Sequence, residues 1–160
     1  MKVYFDNAAT TPLRNEVIEF MTQSILFTFG NPSSTHAFGR SAKSLIETAR
    51  KSVAKHLNCE PQEIIFTSGG TESDNMILRC AVKNLNIRTI ISSPVEHHAV
   101  LHALDDLKKE GVKIRYVDLD ENASLNFDHL ESLLKVDETP KLVSLMHINN
   151  EIGNILDLDR

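Results

Sequence analysis

The sequence lacks several features that mark whole classes of protein. It has 160 residues and only two cysteines, Cys59 and Cys80, which are too few for a disulfide framework and do not form a Cys-x-x-Cys pair. No apolar run approaches the roughly 20 residues that cross a bilayer. The opening residues, MKVYFDNAATTP, lack the apolar core of a signal peptide. We therefore expect a cytoplasmic protein in a reducing compartment, without membrane contact.

Positive charge is also scarce. The chain carries 17 Lys and Arg residues against 22 Asp and Glu, a formal net charge of −5, and no basic run is interleaved with aromatic residues. This balance argues against a nucleic-acid partner. What remains is ordinary for a globular protein, with 41% hydrophobic and 24% charged residues. The length is sufficient for one domain with a real core.

The spacing of apolar residues changes along the chain. In the first part it predicts two helices, over 14–27 and 36–56, separated by a Gly-Asn-Pro-Ser-Ser loop. Beyond residue 60, short apolar runs alternate with helical patterns, which predicts strands at 63–67, 88–93, 113–118 and 141–148 and helices at 72–84, 98–110 and 128–134. This alternation predicts an α/β fold with a mostly parallel sheet and helices on both faces.

The first candidate site is the segment Thr67-Ser-Gly-Gly-Thr-Glu-Ser-Asp-Asn75, between a predicted strand and a predicted helix. Two glycines allow close backbone approach, and hydroxyl groups stand where unsatisfied N–H groups begin a helix, which is typical of a phosphate site. It is neither a Walker loop nor a Gly-x-Gly-x-x-Gly fingerprint. The alternative is a plain helix cap, with Thr71 as the capping residue and Asp74 completing a capping box.

The second and third candidate sites follow two other predicted strands. His97 comes after the strand at 88–93, where an imidazole could stack on a flat cofactor and exchange protons; the alternative is a surface or capping histidine. His98 and His102 have the spacing of a metal pair, but no third ligand completes it, so we predict no metal site. Asn149 and Asn150 follow the strand at 141–148, either as ligand contacts or as a simple turn. All three segments lie at the C-terminal ends of predicted parallel strands, where one crevice would collect them.

Five segments in series resemble the cysteine desulfurases, within the class-V aminotransferase group. They are Tyr4-to-Pro12, Phe29-to-Ser34, Thr67-to-Asn75, Val95-Glu96-His97 and Met146-to-Gly153, in the order and spacing of that family. The resemblance implies a fold-type-I enzyme dependent on pyridoxal 5'-phosphate (PLP). It also implies a homodimer that takes sulfur from L-cysteine, leaving L-alanine and an enzyme persulfide. The sulfur would pass to an acceptor or scaffold protein, in iron–sulfur cluster assembly or thiolation.

The resemblance also assigns roles by position. Gly70 and Thr71 match residues that hold the cofactor phosphate, and Asn150 matches the asparagine that bonds the phenolic oxygen. His97 matches the histidine that stacks on the ring and takes part in proton transfer, which makes it the one catalytic residue predicted here. Three further positions match segments near the substrate: Ala8, Ala9 and Asn31.

Other parts of the family pattern do not occur in this sequence. The Schiff-base lysine after a Ser-x-His block, the aspartate that pairs with the pyridine nitrogen and the persulfide cysteine have no counterpart here, and Cys59 and Cys80 are interpreted as packing residues. The resemblance therefore implies an N-terminal segment, inactive by itself. Residues 1–13 would form an arm that belongs to the small domain of the complete enzyme. Residues 14–160 would form the first, truncated portion of the PLP-binding large domain.

Two other functions stay open from the sequence. A selenocysteine lyase or another class-V PLP enzyme would share these segments and differ in the substrate. A degenerate assembly module would keep the fold and lose the chemistry.

Overall fold

The computed structural model describes residues 1–160, which form two compact units, residues 1–66 and residues 67–160. The first unit contains helices α1 (Asn15–Phe27) and α2 (Ala37–Leu57) and a single 3₁₀ turn (Pro61–Glu63). The second contains, in chain order, α3 (Gly70–Asn84), β1 (Thr89–Ser92), α4 (His98–Lys109), β2 (Lys113–Tyr116), α5 (Phe127–Leu134) and β3 (Lys141–Val143). The predicted helices agree with these bounds to within about two residues at each end.

In the first unit, the end of α2 is held to the segment that follows it. Asn58 adopts the left-handed conformation that ends many helices, with a φ of 53°, and its N–H donates to the carbonyl of Ala54. The guanidinium of Arg50 donates to the carbonyl of Ile64 and lies 4.9 Å from the centre of the Phe66 ring. These contacts hold Ile64 and Phe66 against α2.

The predicted strand over 63–67 is wrong. Ile64 has extended backbone angles, but residues 64–67 pair with no strand, and Glu63 belongs to the 3₁₀ turn. A β-branched, apolar run favours extended backbone, whereas a strand also needs a neighbour to complete its ladder of hydrogen bonds. Here the carbonyl of Ile64 is satisfied by the Arg50 side chain instead.

The second unit is built on a three-stranded parallel sheet in the order β2-β1-β3. The central strand β1 is buried along its whole length and pairs with Lys113–Tyr116 on one side and Lys141–Val143 on the other. A strand hydrogen-bonded on both edges and covered on both faces favours apolar residues, as at its centre with Ile90 and Ile91, while the buried Thr89 and Ser92 stand at its two ends. The predicted parallel sheet is confirmed.

Helices α3 and α4 pack against each other and against one face of the sheet. Ile90, Ile114 and Leu142 are register partners in the three strands, so their side chains point to this same face. The core formed there comprises Leu78, Ala81, Val82, Ile87, Ile90, Val100, Ala103, Leu104, Leu107 and Val112. The amphipathic patterns predicted for these helices therefore turn their apolar sides to a single core.

The order of the strands decides where the remaining helix lies. The connection from β1 through α4 leads to β2 on one side, and the connection from β2 through α5 crosses back over β1 to β3 on the other. Since parallel crossovers are right-handed in nearly all proteins, two crossovers in opposite directions place α4 and α5 on opposite faces of the sheet. The predicted two-faced arrangement follows from this topology.

Two details differ from the sequence prediction. Strand β3 ends at Val143, and residues 144–150 form the loop that leaves the sheet. Cys80 is exposed on α3, so its predicted role in packing is wrong; Cys59 is half-buried. No helix has the length and apolar character needed to span a bilayer.

Truncating a core residue tests this packing. Leu104 is fully buried in the core between α3, α4 and the sheet. Leu104→Ala should lower the free energy of unfolding by about 2–5 kcal/mol, because the substitution removes apolar contacts and leaves a cavity. Denaturant unfolding followed by circular dichroism measures the change. The matched control is Leu158→Ala, at a position 67% exposed, where we expect a change within about 0.5 kcal/mol. Equal effects of the two substitutions would contradict the core described here.

Candidate functional site at the carboxyl edge of the sheet

The topology of the second unit collects the predicted site segments at one edge. Helix α3 leads into β1 through a four-residue connection, Leu85 to Arg88, and packs against the sheet, so it runs opposite to β1 and begins at the carboxyl edge. Helix α4 and the loop after β3 leave from the carboxyl ends of β1 and β3. The N-termini of α3 and α4 and residues 144–150 therefore share the edge where parallel sheets usually bind ligands.

Helix α3 begins with unpaired backbone donors. Its N-cap is Gly69, which has no side chain that could cap the helix. The first intrahelical bond runs from the Ser73 N–H to the Gly69 carbonyl. The N–H groups of Gly70, Thr71 and Glu72 make no hydrogen bond within the protein, and neither does the Thr71 hydroxyl. The alternative that Thr71 caps this helix is wrong, because the helix starts before Thr71.

Space in front of these donors is open. A Cβ atom built on Gly69 or Gly70 would meet no other atom within 4 Å. Neither glycine has the positive φ that only glycine adopts easily, so the turn itself does not require them. What their lack of a side chain provides is access to the N-terminus of the helix, where the macrodipole favours an anion.

The loop that enters α3 is held by its own side chains. The Glu72 carboxylate accepts hydrogen bonds from the N–H (2.6 Å) and the hydroxyl (2.7 Å) of Ser68. The hydroxyls of Thr67 and Ser73 lie 2.7 Å apart. These contacts satisfy Ser68 and leave the donors of Gly70 and Thr71 free for a ligand. Hydrogen bonds from Ser68 hold the pKa of Glu72 below its usual value.

His97 caps helix α4 and is exposed. Its Nδ1 accepts a hydrogen bond from the N–H of Ala99 at 3.0 Å, which orients the ring and leaves the proton of the neutral imidazole on Nε2. Nε2 and the ring face make no hydrogen bond within the protein. The capping and ligand roles considered for this histidine are compatible, since capping uses one nitrogen only.

Asn149 and Asn150 have different surroundings. Asn149 is half-buried: its Nδ2 donates to the carbonyl of Val95 (2.8 Å), and its Oδ1 accepts from the N–H groups of Glu151 and Ile152. Gly153, with a φ of 76°, closes the turn by donating to the Asn149 carbonyl. Asn150 is exposed, and its Nδ2 lies 3.4 Å from the Glu151 carboxylate. Asn149 thus builds the turn that presents Asn150.

Sequence reasoning missed Glu96. The side chain is buried, and its Oε1 accepts hydrogen bonds from the Ser93 hydroxyl (2.9 Å) and from the N–H of Met146 (2.8 Å). Burial raises the pKa of Glu96, against the lowering effect of these two donors, and the nearby charge of Asp74 in α3 adds to the rise. The residue stands next to His97 in the sequence, but nothing in the local pattern distinguishes a buried carboxylate there from an exposed one.

The three positions predicted near the substrate lie in the first unit. Ala8 and Ala9 belong to a turn in which the N–H of Ala9 donates to the carbonyl of Asp6. Asn31 starts a second turn, where its Oδ1 accepts from the N–H of Ser33. The rings of Phe29 and Phe38, 5.2 Å apart, close this turn against the start of α2.

Two other features at this end of the second unit are separate from these residues. A cleft of about 230 Å³ lies beside Glu96 and Asn149 and is lined mainly by apolar side chains, but none of Gly70, Thr71, His97 and Asn150 lines it. The rings of His98 and His102 lie 5.5 Å apart on α4, and no group of three side chains that could hold a metal ion occurs in the structure.

Comparison with known proteins gives a consistent result. The sequence profile of the class-V aminotransferases matches residues 3–160. The chain is 47% identical over 156 residues to cysteine desulfurase IscS of Dictyoglomus turgidum and 44% identical over 155 residues to cysteine desulfurase IscS of Methanosarcina thermophila. Each alignment covers 96% of this chain, but only 39% and 38% of the two relatives. The chain therefore spans about two-fifths of their length.

Solved structures agree in fold. A NifS-like protein superposes with a TM-score of 0.91 at 44% identity, covering 98% of this chain and 43% of that protein. The structure of SspA in complex with cysteine superposes with a TM-score of 0.86 at 32% identity, covering 96% of this chain and 44% of SspA.

The carboxylate that holds the loop before α3 gives a pH prediction. Since folding lowers the pKa of Glu72, its contact with Ser68 contributes stability above the unfolded pKa of about 4.3, and that contribution is lost as the pH falls through the folded pKa. Carboxyl ¹³C NMR should give a titration midpoint below the usual value. Ser68→Ala removes the hydroxyl donor and keeps the N–H donor, so the midpoint should move part of the way back. The midpoint of Glu72 in the unchanged chain is the reference for this variant. A Glu72 midpoint unchanged by Ser68→Ala would contradict the hydroxyl contact.

Proposed function

The chain belongs to the class-V aminotransferase family, and we propose that it is the N-terminal segment of a cysteine desulfurase. The complete enzyme would take the sulfur of L-cysteine onto an enzyme thiol, giving L-alanine and a persulfide. The relatives named cysteine desulfurase support this substrate, as does a structural neighbour determined in complex with cysteine. The enzyme would act as a homodimer and pass sulfur to an acceptor or scaffold protein.

One observation carries the cofactor assignment. The free N–H groups of Gly70 and Thr71 share the carboxyl edge of the sheet with the exposed ring of His97 and the turn that presents Asn150. An anion-binding helix end, an aromatic face and an amide at one edge of the sheet match the phosphate, the ring and the phenolic oxygen of PLP. The residues present therefore fit the cofactor on which this family depends.

Each residue has a separate task in this proposal. The N–H groups of Gly70 and Thr71, with the Thr71 hydroxyl, bind the phosphate; Asn150 bonds the phenolic oxygen. His97 covers the ring and exchanges a proton at Nε2, because Nδ1 is engaged by the Ala99 N–H. Bound PLP supplies an electron sink for negative charge that develops on the amino-acid substrate. Ala8, Ala9 and Asn31 are proposed to lie near that substrate.

The phosphate assignment is tested by removing one hydroxyl. Thr71→Val keeps the shape of the side chain, and Thr71 is exposed, so the fold should be unaffected. Losing a hydrogen bond to a charged group costs about 1.5 kcal/mol or more, which corresponds to at least about a tenfold weaker affinity for PLP. Titration of the chain with PLP, followed by NMR and competed with inorganic phosphate, measures it. Thr48→Val, an exposed threonine on α2, is the matched control. An unchanged affinity for Thr71→Val would exclude the hydroxyl from the phosphate site.

The activity is tested on the complete protein that contains this chain. With PLP, L-cysteine and a thiol reductant to release the persulfide sulfur, it should produce alanine and sulfide in equal amounts. His97→Gln should lower kcat about 10²- to 10⁴-fold, the usual contribution of a general acid–base. His102→Gln, an exposed histidine farther along α4, is the control and should retain activity. Failure to release alanine from cysteine would refute the proposed substrate.

A further inference from the structure

The loops at the carboxyl edge are joined by a carboxylate. Glu96 is 8% exposed, although it lies directly before the exposed His97. Its Oε1 accepts two hydrogen bonds, from the Ser93 hydroxyl at 2.9 Å and from the Met146 N–H at 2.8 Å. Ser93 belongs to the loop after β1, whereas Met146 lies three residues beyond the end of β3. One oxygen atom thus links two loops that are 50 residues apart in the chain.

A second hydrogen bond joins the same two loops, and its donor again lies in the loop after β3. The Asn149 side chain, in the loop after β3, donates from Nδ2 to the carbonyl of Val95, in the loop after β1, at 2.8 Å. The backbone pairing of β1 with β3 stops at Ile91 and Val143, and one further bond joins the Ser144 N–H to the Ile91 carbonyl. Beyond that point, the spacing of the two loops depends on Glu96 and Asn149.

We propose that Glu96 is a positioning residue that sets the spacing between His97 and Asn150. The inference rests on the proposed function, in which these two residues contact the same cofactor from different loops. Glu96 precedes His97 in one loop, and its partner Met146 lies four residues before Asn150 in the other. Glu96 does not touch the cofactor itself. It acts by holding the segment that carries Asn150 against the segment that carries His97.

The cost of burying Glu96 indicates that its hydrogen bonds, and not packing alone, hold the two loops together. Burying a carboxylate is costly unless hydrogen bonds compensate it, and here the two donors oppose the rise in the pKa of Glu96 that burial causes. Removing the carboxylate would leave the Met146 N–H and the Ser93 hydroxyl without their acceptor. Both loops would lose a contact at once.

Two substitutions of Glu96 separate the effect of its hydrogen bonds from the effect of its negative charge. Glu96→Ala removes the acceptor, whereas Glu96→Gln keeps a carbonyl oxygen of the same reach that can accept from both donors. Ser93→Ala removes one donor and keeps the Met146 contact, so it remains informative if Glu96→Ala folds poorly. Glu121→Ala, at an exposed glutamate of the same unit, is the matched control.

The experiment titrates the ¹⁵N-labelled chain separately with PLP and with inorganic phosphate. We expect Glu96→Ala to weaken PLP binding about tenfold, since two hydrogen bonds are lost, and to leave phosphate binding within about twofold. Glu96→Gln should bind PLP within about threefold of the unchanged chain. Without ligand, hydrogen exchange of the Met146 N–H should be faster in Glu96→Ala and unchanged in Glu96→Gln.

The outcomes distinguish this inference from the proposed function. If the unchanged chain binds phosphate and not PLP, the cofactor assignment fails, and the role of Glu96 fails with it. If the unchanged chain binds PLP and Glu96→Ala binds it equally well, only the role of Glu96 is refuted. If Glu96→Ala loses affinity equally for PLP and for phosphate, the substitution causes a general structural defect, and the positioning role of Glu96 is also refuted. A Glu96→Gln variant as weak as Glu96→Ala would assign the effect to charge and overturn the positioning role.

Discussion

The parallel pairing of β1 with strands on both sides is the interaction on which the second unit depends. Because the strands run in the same direction, their carboxyl ends meet at one edge. The connections that leave this edge are the start of α4 and the loop after β3, and α3 begins there because it runs back toward β1. Without that pairing, the loop before α3, the loop before α4 and residues 144–150 would have no common location.

The pairing of β1 with β3 also explains why some side chains at the carboxyl edge join the loops and others are exposed. Backbone hydrogen bonds hold the loops only as far as Ser144. Beyond it, the buried side chain of Glu96 and the half-buried side chain of Asn149 cross-link the loops, while His97 and Asn150 are exposed. In each pair of neighbouring residues, 96–97 and 149–150, the first holds the loops together and the second is exposed. An anchored residue next to an exposed one keeps the exposed side chain oriented on a short loop.

The start of α3 follows a similar principle with different chemistry. Glu72 satisfies the N–H and the hydroxyl of Ser68, and the donors of Gly70 and Thr71 stay unpaired in open space. An unpaired donor costs little where water or an anion can reach it. The relatives, about two and a half times as long as this chain, provide the context in which we propose that this open edge becomes an enclosed cofactor site.

Most element types and the segments of the candidate site could be predicted from the sequence alone, because both depend on local signals. Helical spacing of apolar residues predicted the five helices, and short apolar runs between them predicted β1, β2 and β3. Only the tertiary structure decided the strand order, the absence of a strand at 64–67 and the burial of Glu96, since each depends on a partner distant in sequence. Ile64 is satisfied by Arg50, and Glu96 by Met146. A residue pattern can show that a backbone or a carboxylate needs a partner, but not which residue the fold brings to it.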